Sequence, residues 1–198
     1  NVVVGQTDFP FNAPNLIEGR EVAIYNGSSP GGGIVVDKSS NPPHLYIADT
    51  YNNRILGFRD ARAVGADARS ILSQKADLVI GQPANDLFRS IVNYPNGDPD
   101  LPTRTGLLRP VGLAIDENGN LWVADSGNGR VLRFPAPFAQ QGDQSADLVL
   151  GQSSCTNKEQ TATEHTRQTH TGGVVFPEGR TAGSYAAYTA GSVCRPPA

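Results

Sequence analysis

The sequence predicts an all-β fold made of repeated four-stranded antiparallel meanders, and three observations carry that prediction. In Gly112–Phe134, GLAIDENGNLWVADSGNGRVLRF, apolar Leu113 and Ile115, then Leu121 and Val123, alternate with smaller or polar residues, the period-two pattern of half-buried strands. Glu117-Asn118-Gly119-Asn120 and Asp125-Ser126-Gly127-Asn128-Gly129 separate the strands, and their Asn and Gly residues tolerate the positive φ that tight turns need. The stretch also recurs. Gly33-Ile34-Val35-Val36-Asp37, Leu45-Tyr46-Ile47-Ala48-Asp49 and Arg54-Ile55-Leu56-Gly57-Phe58 match its three strands in order.

A second element follows each copy. Ala76-Asp77-Leu78-Val79-Ile80-Gly81-Gln82 returns as Ala146-Asp147-Leu148-Val149-Leu150-Gly151-Gln152, and Gly5-Gln6 ends a shorter version at the start. One unit is therefore three strands plus this fourth. Self-similarity at roughly 70–76 residues with four strands per unit points to propeller blades.

Taken in order, residues 1–6 read as the outer strand of a preceding blade and 7–32 as a connection, in which Arg20–Tyr25 has the pattern of a short extra strand. Residues 33–82 form blade one, with three extra residues in its first turn, Lys38–His44. The Ala- and Arg-rich run at 60–72 reads as a turn or a single helical turn, because Gly65 interrupts its helical propensity. Residues 83–110 are a long loop dense in Asn, Asp and Pro, and 111–152 form blade two, whose third strand stops at Pro135-Ala136-Pro137. Residues 153–198 read as a degenerate or truncated third blade with poor order. Gly172–Phe176 opens it and Gly191–Arg195 echoes a third strand, with no Asp in Thr181–Tyr188.

The run Gly112–Phe134 resembles an NHL repeat, whose signature is an apolar-Asp strand, a Gly-Asn turn, an apolar-Ala-Asp strand and an Asn-Arg-apolar strand. Gly33–Phe58 is similar in looser form. The resemblance implies a partial NHL-type propeller, six-bladed in the intact protein. At this unit size two blades and a third account for the chain, which is expected to be a piece of a larger protein. Blades bury their faces only against neighbours, so the outer flanks of blades one and two are expected to expose apolar surface.

Composition narrows the function. Glycine (22) and proline (15) concentrate in turns, and the net charge of −3 with scattered Lys and Arg gives no basic footprint for nucleic acid. No apolar run has the length of a membrane-spanning helix. No phosphate loop, dinucleotide fingerprint or hydrolase signature is present. Cys155 and Cys194 are a candidate disulfide in an exported protein or two thiols in a cytosolic one, and their spacing fits no zinc signature. A secreted, periplasmic or cell-surface location is the expectation.

Asp49 and Asp125 end a strand and begin a turn, so each reads as a structural turn carboxylate that accepts loop N–H groups and pairs with Arg54 or Arg130 five residues on. Tyr46 and Trp122 face away from their apolar neighbours and are expected to pack between blades. His44 falls in the inserted turn and reads as solvated. His165 and His170, with Cys155 or Glu164, make a weak metal set. Asn96, Asp98 and Asp100 alternate like calcium ligands but lack the rest of such a loop, so an ordinary turn is preferred.

In a four-stranded meander the connection into strand one and the turn between strands two and three lie at one end. The long connections therefore share a face with 49–54 and 125–130, and variable loops on a rigid frame are where binding resides. The favoured function is a non-catalytic binding or scaffold module without a cofactor, engaging a protein, glycan or small ligand through that face. Tyr51, Asn52, Arg54, Asn128 and Arg130 are the candidate binding residues, with no catalytic or metal residues assigned. The resemblance also admits a propeller enzyme, a lyase or lactonase-type hydrolase, with a divalent metal such as calcium in a central channel. Its ligands would come mainly from blades other than these, since the first strands here supply only Asp37 and Asp116.

Overall fold

The computed structural model describes residues 15–63, 75–158 and 192–194. The opening repeat, most of the 60–72 run, Gly172–Phe176, Glu164, His165 and His170 lie outside them. Two antiparallel sheets organise the described residues. The first has the order β1 (Ile34–Asp37), β2 (His44–Asp49), β3 (Arg54–Phe58), β4 (Leu78–Ile80). The second repeats it as β5 (Pro110–Ile115), β6 (Leu121–Asp125), β7 (Arg130–Phe134), β8 (Leu148–Leu150), and adds β9 (Ser192–Val193) at its edge. The sheets are meanders of propeller-blade type, open rather than closed into a ring.

Register follows the repeat. Asp49 stands opposite Arg54 in the first sheet and Asp125 opposite Arg130 in the second. A single 3₁₀ turn joins the paired strands each time, Thr50–Asn52 and Ser126–Asn128. Each turn ends on a left-handed residue, Asn53 at φ 54° or Gly129 at φ 60°. Asparagine and glycine are the residues that enter this region at little cost. The Gly-Gln pair works similarly: Gly81 and Gly151 take φ 94° and 88° just after β4 and β8, turning the chain out of the blade.

The two blades pack face to face. Tyr46, Ala48, Ile55 and Ile80 from the first sheet share a core with Leu121, Val123, Leu132, Phe134 and Val149 from the second. The opposite face of the first sheet carries Leu45, Ile47, Leu56, Phe58 and Val79, covered partly by Val22 and Leu87 from the connections. Ile34 and Val36 pair with Ile47 and Leu45 on that face and are 67% and 40% exposed. The outer face of the second sheet, with Trp122, Ala124, Val131 and Arg133, is only half-buried. Apolar surface is thus left open on both flanks. Near the blade junction a Cβ on Gly33 would sit 2.3 Å from the Val111 carbonyl oxygen, so the close approach of β1 to β5 requires glycine there.

Three local expectations change. Arg20–Tyr25 forms no strand. Tyr25 makes one isolated bridge to Pro30, because the Ala23 amide donates to Asp49 Oδ1 and the Ala23 carbonyl accepts from Tyr51. His44 begins β2 and is half-buried, its ring centroid 4.3 Å from that of Phe138 across the blade junction. Ser192–Val193, read as an echo of a third strand, instead pairs with β8 as the fifth strand of the second sheet. The Cys155–Cys194 disulfide and the Cys194 amide, which donates to Asp147 O at 2.9 Å, hold that strand in place.

Candidate functional site: the long-loop face

The end of each blade that carries the long connections is built around a buried Asp–Asn–Arg set. In blade two, Asp125 Oδ1 accepts the Leu108 amide at 2.7 Å, while Oδ2 accepts Arg130 Nε and Asn128 Nδ2, both at 2.8 Å. In blade one, Asp49 Oδ1 accepts the Ala23 amide at 2.7 Å and Oδ2 accepts Arg54 Nε at 2.7 Å, with Asn52 Nδ2 2.9 Å from both oxygens. Neither carboxylate nor either guanidinium has solvent-accessible surface in these two pairs. A buried ion pair is tolerable only when hydrogen bonds satisfy its remaining polar atoms; the blade-two set meets that demand by gripping the connections, and the blade-one set meets it except at Arg54 Nη2.

The remaining donors reach outward along the backbone. Arg130 Nη2 donates to Thr103 O at 2.8 Å and Gly106 O at 3.0 Å in the preceding connection, and Nη1 donates to Cys155 O in the following one. Arg54 Nη1 donates to Leu87 O and, at 3.4 Å, to Arg89 O. Its Nη2 is buried and lacks a partner. Each blade's arginine therefore pins the connection that leaves that blade. Gln82 adds a second clamp, donating to Asn53 O at 3.1 Å and Ile91 O at 2.9 Å while accepting the Ile91 amide at 2.8 Å. Gln152 holds the matching turn through Gly129 O.

The asparagines pair across elements. Asn128 Nδ2 donates to Asn93 Oδ1 at 2.7 Å, as Asn52 Nδ2 does to Asn15 Oδ1 at 3.0 Å. Asn93 in turn donates to Asp98 O and Pro99 O, fixing the 93–99 turn. Asp98 Oδ1 accepts the Asp100 amide and Asn96 Nδ2 donates to Leu101 O, so these oxygen-bearing side chains serve the turn itself. Among the described residues no group of three His, Cys, Asp or Glu side chains converges to hold a metal.

Asn52, Arg54, Asn128 and Arg130, four of the five candidate contact residues, are at most 2% exposed. Apart from the buried Arg54 Nη2, their side-chain donors are committed to Asp49, Asp125, Asn15, Asn93 and loop carbonyls, which leaves no surface for a ligand to touch. Tyr51 alone is partly open, and its hydroxyl donates to Ser29 O at 2.8 Å. What the face does present is apolar. Leu16, Ile24, Tyr25, Phe88 and Leu101 all lie in the connections 15–33 and 83–110 and are each about half exposed or more. Phe88, 63% exposed, sits between the two carbonyls that Arg54 holds. The sequence signal for these residues is weak, because single aromatic residues in a loop carry no periodicity.

Blades of four antiparallel strands, each sealed by a buried Asp–Asn–Arg set, define a propeller-type repeat protein. A family model for the NHL repeat matches residues 107–134, which spans β5 to β7 and the set in blade two, as in an NHL-repeat protein. Such repeats form propeller-type binding or scaffold modules and are generally protein-interaction elements. No curated protein matches the chain. Among the described residues no helix is long and apolar enough to cross a membrane.

Proposed function

We propose that the long-loop face is a docking surface for a protein partner, with Tyr25, Phe88 and Leu101 as its apolar anchors and the buried Asp–Asn–Arg sets as its frame. The supporting observation is the position of Phe88. An exposed aromatic residue whose two neighbours in sequence have their carbonyls held by a fully buried arginine projects from a fixed backbone, with Lys75 Nζ 4.8 Å from its ring centroid. Aromatic anchors of this kind dominate protein interfaces, and holding them in place before binding lowers the entropic cost of association. A secreted, periplasmic or cell-surface location belongs to the same proposal. Its support is the Cys155–Cys194 disulfide, since such bonds persist in oxidising compartments.

A photo-reactive residue at position 88 or 25 tests the docking surface against the same residue at Glu117, in the exposed turn at the opposite end of blade two. Specific cross-linking from positions 88 and 25, competed by unlabelled protein but not by its Phe88→Ser variant, is the expected result. Equal cross-linking from position 117 would contradict the assignment of the face.

A further inference from the structure

A second site lies at the other end of the blades, where the first turns of the two units meet. A cleft of about 260 Å³ opens there, lined by Asp37, Ser39, Tyr46, Arg59, Asn118 and Phe138. The two repeats treat the carboxylate that ends their first strand differently. In blade two, Asp116 is fully engaged: Oδ1 accepts the Asn118 and Asn120 amides, each at 3.0 Å. Its Oδ2 accepts Asn120 Nδ2 at 2.9 Å and Trp122 Nε1 at 3.0 Å.

In blade one, Asp37 is only 3% exposed, yet both of its hydrogen bonds, from the Ser39 amide at 2.8 Å and the Ser39 hydroxyl at 2.6 Å, fall on Oδ1. Among the described residues Oδ2 has no hydrogen-bond partner. The position of Trp122 is taken here by Tyr46, which is buried in the core between the blades and makes no hydrogen bond to Asp37. Gly119 borders the opening: a Cβ there would lie 3.6 Å from Asp37 Oδ2 and 2.8 Å from Ser39 Oγ. A carboxylate accepts at both oxygens, and the open position on Asp37 Oδ2 borders a cleft with room for a small molecule.

We propose that this cleft is a binding site for a neutral polyol of monosaccharide size, with Asp37 Oδ2 accepting one ligand hydroxyl and the exposed Asn118 side chain bonding its neighbour. Charge selects the class. The Arg59 guanidinium, held 4.8 Å from the Phe138 centroid, lines the same cleft and disfavours an ammonium group, while Asp37 disfavours an anion. A hydroxyl both donates and accepts, which suits a wall of mixed acceptors and donors. In blade two, whose first turn is three residues shorter, Asn120 and Trp122 occupy the corresponding oxygen.

The test is an amide-resolved NMR titration of the whole chain with D-glucose, D-galactose and D-mannose, using methylammonium and inorganic phosphate at equal concentration as controls. Saturable shifts at Ser39, His44 and Gly119 with at least one sugar are expected, weakened about tenfold or more in Asp37→Asn, which turns the acceptor into a donor. Asn118→Ala, which removes the second contact from an exposed turn, is expected to weaken the same sugar. No saturable shift in the millimolar range, tighter binding of methylammonium or phosphate, or undiminished sugar binding in Asp37→Asn or Asn118→Ala would overturn the proposal.

Discussion

Arg130 Nε lies 2.8 Å from Asp125 Oδ2 with both side chains wholly excluded from water, and the same guanidinium holds the carbonyls of Thr103, Gly106 and Cys155. One side chain thus ties a blade to the connections on either side of it. The pair is structural, because every donor it has is spent on its own chain.

Removing one partner of such a pair leaves a buried charge uncompensated. Arg130→Ala or Asp125→Ala is expected to cost about 3–5 kcal/mol in chemical denaturation. Arg54→Ala should cost less than Arg130→Ala, since Arg54 Nη2 is already without a partner. Equal losses in the two blades would show that the outer hydrogen bonds of Arg130 add nothing.

Much of this site is legible in the sequence. The repeated apolar-Ala-Asp strand and the arginine five residues on place Asp49 with Arg54 and Asp125 with Arg130, and the register confirms both pairs. The strands themselves follow from period-two alternation. What stays hidden is where the arginines reach next. Leu87, Thr103 and Cys155 contribute main-chain oxygens, which every residue has, so no side-chain pattern marks them. The Asn15–Asn52 and Asn93–Asn128 pairs are obscured by connections of unequal length, and His44 meets Phe138 only across the blade junction.

Acid should probe the first turn of blade two through Asp116. Burial works against ionisation of Asp116, but hydrogen bonds from Asn120, Trp122 and the Asn120 and Asn118 amides outweigh it and hold the carboxyl below its ordinary value. With the folded value below the unfolded one, its contribution is present above the unfolded carboxylate range. It is lost as pH falls through the folded value. Denaturation midpoints of wild type and Asp116→Asn are expected to converge as pH is lowered below about 4; a constant gap would contradict this.

The disulfide closes a sequence separation of 39 residues. On the chain-entropy account, Cys155→Ser with Cys194→Ser should lose about 3–4 kcal/mol and free β9 from the sheet edge. Hydrogen exchange at Val149 and Leu148, which face Ser192 and Val193, should rise. Unchanged protection there would mean that β9 is held by other contacts.

Gly33→Ala places a Cβ against the Val111 carbonyl and is expected to destabilise the protein by about 1–3 kcal/mol through the blade junction. Gly97→Ala, with a positive φ but open space around it, provides a control for backbone strain alone. A smaller effect at Gly33 than at Gly97 would argue against close packing of β1 on β5.

The central claim is that the buried arginines fix the long connections and so hold the docking face in shape. Native-state hydrogen exchange on Arg54→Met tests it most directly. The account predicts faster exchange at Ile91 and its neighbours in the 87–93 segment, with protection at Ala124 and Leu132 in blade two retained. Exchange in that segment as slow as in the wild type, or a uniform rise across both blades, would contradict it.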